Sequence, residues 1–196
     1  MTSDLPMESD PTESEEFSPP GFPQLHIALS VEDDAWHDCL ADDSARLIAE
    51  AVAAAAHGAG LSTSVRTELG ITLSTDAAVR ELNAQWRGKD KATNILSFPM
   101  VQLEPGDLPG PMLGDLILAL ETVKLEALTE HKALSDHFRH LVVHGLLHLL
   151  GYDHEEAEAA EIMEALEISV LSTLAIANPY DDSDAVAGAD PAPRNV

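Results

Sequence analysis

The sequence predicts an α+β fold: a small mixed four-stranded sheet packed with about five helices. Three observations predict it. Short apolar stretches alternate with period two, longer stretches repeat apolar residues every three to four positions, and Gly or Pro punctuates the joins. Leu25, Ile27, Leu29 and Val31 alternate and give the first strand. Residues 36–57 are Ala-rich and helical, stopping at Gly58 and Gly60. Leu69, Ile71 and Leu73 give a second strand. Thr75 caps the following helix, whose apolar face is Val79, Leu82 and Trp86.

Residues 94–100 form a short third strand ended by Pro99, and the Pro/Gly loop EPGDLPGP spans 104–111. Residues 113–120 are apolar almost throughout, which places that strand centrally in the sheet. A helix over about 121–131 follows. Residues 136–150 are apolar nearly all round, interrupted chiefly by histidines, so that helix is expected to be buried. Gly151 supplies its left-handed stop. Asp153 is expected to cap a last helix to about 176, with Glu156 completing a capping box and Glu155, Glu158, Glu161 and Glu164 on its wet side.

Residues 1–22 and 181–196 are acidic and poor in large apolar groups. Such segments bury too little surface to offset chain entropy, so both are expected to be disordered tails around a domain over 23–180. The formal charge is −25, and residues 35–180 alone hold 22 acids against nine Lys and Arg. That excludes a broadly basic nucleic-acid surface but not a local patch. Arg80, Arg87, Lys89 and Lys91 concentrate four cations within twelve residues. No apolar run is long enough to span a bilayer, and the N-terminus lacks the pattern of a signal peptide. Cys39 is the single cysteine, which suits a reducing cytosol, so a cytoplasmic location is expected.

The informative segment is HLVVHGLLHLLGYDH, residues 140–154. His144 and His148 are four apart on one helix face, the spacing at which two imidazoles grip one ion. Gly151 turns the chain, and His154 can return as a third ligand. Three nitrogens without a nearby cysteine predict one Zn²⁺ ion per chain with an open position. A water there would have its pKa lowered to ~7. The spacing H-x3-H-x2-G-x2-H matches the zincin-like metal frame of the metzincin proteases, but Gly145 stands where they carry the catalytic Glu. Two alternatives stay open. The histidines can be core residues satisfied by hydrogen bonds, or the site can be structural, with Cys39 or Asp115 as fourth ligand. Glycine inside a helix costs ~1 kcal/mol against alanine, so Gly145 is expected to allow a close approach by a ligand or another backbone. His140 shares the stripe, as an outer partner or a core residue. His26, His37, His57, His131 and His137 show no such spacing and are expected to be incidental.

HGLLHLLGYDH (144–154) resembles the metal motif of the YbeY family, bacterial endoribonucleases of rRNA maturation. ELNAQWRGKDKATNILSFP (81–99) and LGDLILAL (113–120) are similar to two further blocks of that family in the same order. The resemblance spans about 24–177 and leaves the tails without counterpart. It implies a zinc-dependent, single-strand-specific endoribonuclease that processes small-subunit rRNA ends and takes part in ribosome quality control. By position, His144, His148 and His154 match the metal ligands and Arg87 matches a functional arginine. Asn94 stands where the family usually has Asp, and Ala92 where Pro is common.

Arg87 is thus expected to clamp the phosphate with paired donors. Lys89 and Lys91 either extend a phosphate track or sit in a solvated loop. Trp86 can stack on a base, but its place on the apolar stripe favours core packing. Asp115 and Asp153 are candidate bases by resemblance alone. The expected partners are single-stranded rRNA and the ribosome or its small subunit, with no membrane. The acidic balance suggests delivery of the substrate by the ribosome or a partner protein. A non-catalytic assembly factor with a structural metal, and a metallopeptidase, are the competing readings.

Overall fold

The computed structural model describes residues 13–181 apart from 42 and 155. At its centre is a five-stranded mixed sheet: β1 (Glu13–Phe17), β2 (Leu25–Val31), β3 (Thr67–Ser74), β4 (Ile95–Pro99) and β5 (Met112–Ala119). The order is β1-β2-β3-β5-β4, with β2, β3 and β5 parallel and both edge strands antiparallel to their neighbours. β5 lies inside the sheet, as its apolar sequence predicts. Buried Leu25, Ile27 and Leu29 alternate with exposed His26 and Ala28, and pair in register with Thr67, Leu69 and Ile71. Each such Leu or Ile taken fully out of water stabilises the fold by roughly 1.5–3 kcal/mol.

Six helices are present among the described residues: α1 (Ala35–Leu40), α2 (Ser44–Gly58), α3 (Asp76–Arg87), α4 (Leu120–Thr129), α5 (Leu134–Leu149) and α6 (Ala157–Thr173). The main core joins the apolar face of β2, β3 and β5 to α2, α5 and α6. α3 covers the other face near β4 and β5, over a smaller cluster of Val79, Leu96 and Ala119. α5 is the central helix, with most of its apolar residues fully buried. None of these helices is long and apolar enough to cross a membrane.

Four expectations are corrected. Residues 13–22 are not a disordered tail: β1 pairs along β2 from Glu13↔Val31 to Phe17↔Ile27, and Phe22 is fully buried against the ring of His57. An edge strand needs only its neighbour's backbone groups, so a polar composition does not forbid it. Residues 1–12 and 182–196, the rest of the expected tails, lie outside the described residues. The sheet therefore has five strands rather than four. The helix expected over 36–57 is two helices, because the buried indole of Trp36 donates to Ser74 O at 2.9 Å and Ala41 turns the chain with φ +52°. The last helix starts at Ala157 with Glu156 as N-cap, so Asp153 is not the cap of that helix.

Candidate metal centre and its cationic edge

α5 presents His144 and His148 one turn apart, with ring centroids 4.5 Å from each other. Gly151 then turns the chain with φ +89° beneath the 100–111 loop. A Cβ at Gly151 would stand 2.4 Å from the carbonyl oxygen of Leu103, so only glycine permits this turn. The turn carries His154 back over the helix end, to 4.9 Å from His148 and 5.6 Å from His144 between ring centroids. One nitrogen from each of the three rings falls within 4.8 Å of the others.

The protons on these rings follow from their partners. His148 Nδ1 lies 3.0 Å from the carbonyl oxygen of Tyr152, which can only accept, so Nδ1 donates. His144 Nδ1 lies 2.5 Å from Glu167 Oε1. Burial alone would raise the Glu167 carboxyl, but His140, His144 and Tyr180 around it outweigh burial and hold it down at about 2. Glu167 is therefore an acceptor for His144. With Nδ1 donating in both rings, Nε2 is the nitrogen each neutral imidazole has left for a metal, and the two Nε2 atoms face each other at 3.0 Å. Two lone pairs at that distance repel unless a cation or proton lies between them. Burial first, then the neighbouring His144 and His154, push His148 down to about 4, so no extra proton resides there near neutral pH. The donor set fits a divalent metal.

Among the described residues no fourth His, Cys, Asp or Glu joins this group, which removes Cys39 and Asp115 as closing ligands. Asp115 is also corrected as a base. It alternates with Leu116, which packs under α5, and its carboxylate lies where a Cβ on Gly70 would be, 2.1 Å from Oδ1, on the opposite face of the sheet. The reason for Gly145 is corrected too. A Cβ there would meet Ile95 Cδ1 at 2.7 Å and Leu116 Cδ2 at 2.8 Å, so glycine serves close packing of helix on sheet. No metzincin-like carboxylate can stand at that position. Asp153 and His154 precede α6 in the loop.

His137 is buried rather than incidental: its Nε2 lies 2.9 Å from Glu126 Oε2. Asn94 Nδ2 donates to the same carboxylate oxygen at 2.9 Å. Burial pushes Glu126 up, but these two partners prevail and keep its carboxyl below the usual range. His140 is half-buried between His137 and His144, with Nε2 3.6 Å from Glu167 Oε2, beyond hydrogen-bond reach.

Sequence reasoning missed Glu167 and Tyr180. Glu167 is completely buried in α6 and accepts from His144, while the Tyr180 hydroxyl donates to its other oxygen. A signal existed. Nine residues separate Glu167 from exposed Glu158, which at 100° per residue is about half a turn of the helical wheel, onto the face of Met163 and Val170.

Arg87 ends α3 in solvent, its Nη2 donating to the backbone oxygen of Ser97 on β4 at 3.1 Å. Ser97 Oγ in turn reaches the backbone oxygen of Gly145, next to His144, at 3.4 Å. Gly88 caps α3 with φ +67°, and Asn83 Nδ2 donates to the Lys91 carbonyl at 2.8 Å, fastening the loop that bears Lys89 and Lys91. Arg80 is engaged by Asp90 at 2.6 Å. Arg87, Lys89 and Lys91 form no ion pair among the described residues, and all three are exposed. Trp86 is not core: it is 66 % exposed.

The sequence model of the family described as "Endoribonuclease YbeY" matches residues 30–175. A protein of that name from Rhizobium leguminosarum bv. trifolii is 43 % identical over 164 residues, covering 82 % of this chain and 96 % of the relative. Its namesake in Bartonella henselae is 46 % identical over 156 residues, covering 80 % and 97 %. Another, from Agrobacterium fabrum, is 56 % identical over 113 residues, covering 58 % and 67 %.

Proposed function

Because the chain belongs to the YbeY endoribonuclease family, we propose that it is a zinc-dependent endoribonuclease that cuts single-stranded RNA, with His144, His148 and His154 holding the metal and Arg87 meeting the phosphate. The observation that carries this reading is the pair of Nε2 atoms facing across 3.0 Å, each ring turned by a hydrogen bond behind it. Zinc bound there supplies a Lewis acid and a bound water of pKa ~7. The chain's own residues do the rest. Glu167 and the Tyr152 carbonyl orient two imidazoles, and no fourth His, Cys, Asp or Glu among the described residues completes the set. Arg87 supplies guanidinium donors at the edge of β4, tied through Ser97 to the helix that bears His144. A guanidinium suits the charge that builds on a phosphodiester as it becomes five-coordinate.

The substrate in this reading is rRNA, at the ends of the small-subunit species, in the cytoplasm. With a net charge of −25 and, near Arg80, three cations that form no ion pair among the described residues, the chain attracts free RNA weakly, so the ribosome or a delivery protein brings the substrate. A peptidase is disfavoured because Gly145 has no space for a carboxylate.

The test is metal analysis of the purified chain with a labelled-RNA cleavage assay, with and without chelator. One equivalent of zinc and chelator-sensitive cutting of single-stranded RNA support the reading. Metal without cleavage, together with tight binding to ribosomal subunits, would transfer the assignment to a non-catalytic assembly factor.

A further inference from the structure

Of the two tryptophans, Trp36 is completely buried and Trp86 stands 66 % in solvent. The Trp86 ring packs edge-on against Phe98 of β4, with centroids 6.4 Å apart and planes at 68°. Phe98 is itself half-buried on the Val79–Leu96–Ala119 cluster, so it backs the indole and leaves much of it open. Three cations without ion-pair partners among the described residues follow Trp86 within five positions: Arg87, Lys89 and Lys91. In a chain of net charge −25 this run of exposed cations is a local exception that a polyanion can approach.

A continuous path joins this patch to the histidines. Trp86 is next to Arg87; Arg87 donates to Ser97 O at 3.1 Å; Ser97 Oγ reaches Gly145 O at 3.4 Å; and Gly145 follows His144. β4 is an edge strand, so no further strand blocks a chain passing over it. From this geometry we propose that Trp86, backed by Phe98, is a stacking platform for a base of single-stranded RNA, positioning the nucleotide next to the phosphate held by Arg87. The proposal rests on the nuclease reading for its substrate. It adds a specificity: a flipped-out or unpaired base is required on that side of the cut, because a duplex offers no free base face.

The buried Trp36 makes Trp86 the emitter that a ligand can reach. The zinc-loaded full chain is mixed with a 2′-O-methyl oligoribonucleotide, and separately with an oligomer of equal length and charge lacking bases. The base-bearing oligomer is expected to quench tryptophan emission, and the abasic one to leave it unchanged. Trp86→Ala is expected to raise KM for single-stranded RNA by about fivefold or more at unchanged kcat, with Trp86→Phe recovering most of the loss. Equal quenching by the abasic oligomer, or an unchanged KM in Trp86→Ala, would overturn the platform and leave a surface for apolar partners. The two readings fail separately. Quenching without any cleavage removes the nuclease assignment and keeps the platform; normal cleavage with unchanged KM does the reverse.

Discussion

At the end of α5, His144 and His148 are half-buried and each is locked from behind by a hydrogen bond, whereas along the α3–β4 edge Trp86, Arg87, Lys89 and Lys91 all stand in solvent. The two regions meet at Ser97 and Gly145, within one hydrogen bond of each other. The difference follows from what each must hold. A metal needs neutral imidazoles whose lone pairs already converge, and burial with fixed partners provides that. A nucleic-acid chain needs charges and ring faces it can reach, and burying them would cost their hydration.

If that contrast is right, single substitutions should separate the two regions. His148→Ala should abolish both metal and cleavage, a larger loss of affinity than the ~10- to 100-fold typical of an outer partner. Retained stoichiometric zinc in that variant would break the assignment of the locked region. Arg87→Ala should lower cleavage by about 10²- to 10³-fold while zinc content stays at the level of the parent chain. Normal cutting by it would remove the exposed region from the chemistry. Glu167→Gln tests whether the buried partner matters: zinc affinity in a competition titration should weaken by roughly 10- to 100-fold. No change there would make the Nδ1 bond ornamental.

Asn94→Asp probes the start of β4, where Asn94 meets Glu126 and, through it, the first turn of α5. It would replace a donor by a second carboxylate 2.9 Å from Glu126 and should destabilise the fold by about 1–3 kcal/mol in denaturant titrations. An amide suits this position because it donates to a carboxylate that His137 also meets.

The remaining effect is on pH. His148, at about 4 instead of 6.5, and Glu167, at about 2 instead of 4.5, both have folded values below their ordinary ones. Each contributes stability that is complete above its ordinary value and is lost as pH falls toward its folded one. The metal-free chain should therefore melt at progressively lower temperature from pH 6.5 downward, with a second decline below 4.5. A melting temperature flat between pH 6.5 and 4 would show that His148 is not buried as a neutral ring.

Much of this was legible beforehand, for local reasons. Period-two alternation placed β2 and β3, Thr75 did accept from Ala78 N at 3.4 Å, and the i, i+4 histidines with Gly151 did converge with His154. Such features depend on residues within a turn or two of each other. What failed depended on distant chain. β1 exists because β2 offers it an edge, and Ala41 breaks a helix because Ser74, 38 residues from Trp36, holds its indole. Trp86 is exposed although it follows the stripe of Val79 and Leu82, because the cluster beneath α3 is small and ends at Phe98.

By itself the sequence determined the four inner and C-terminal strands from β2 to β5, most of the helices, the metal-like histidine spacing and the cationic run, since each is written in the periodicity or identity of neighbouring residues. Only the tertiary structure decided that Nδ1 of His144 and of His148 each meets an acceptor, that Glu167 and Tyr180 stand behind His144, and that Arg87 reaches Ser97 on β4 while Trp86 stays exposed. Those outcomes are set by which atoms lie beside which after the chain has closed on itself, and no local pattern carries that distance information.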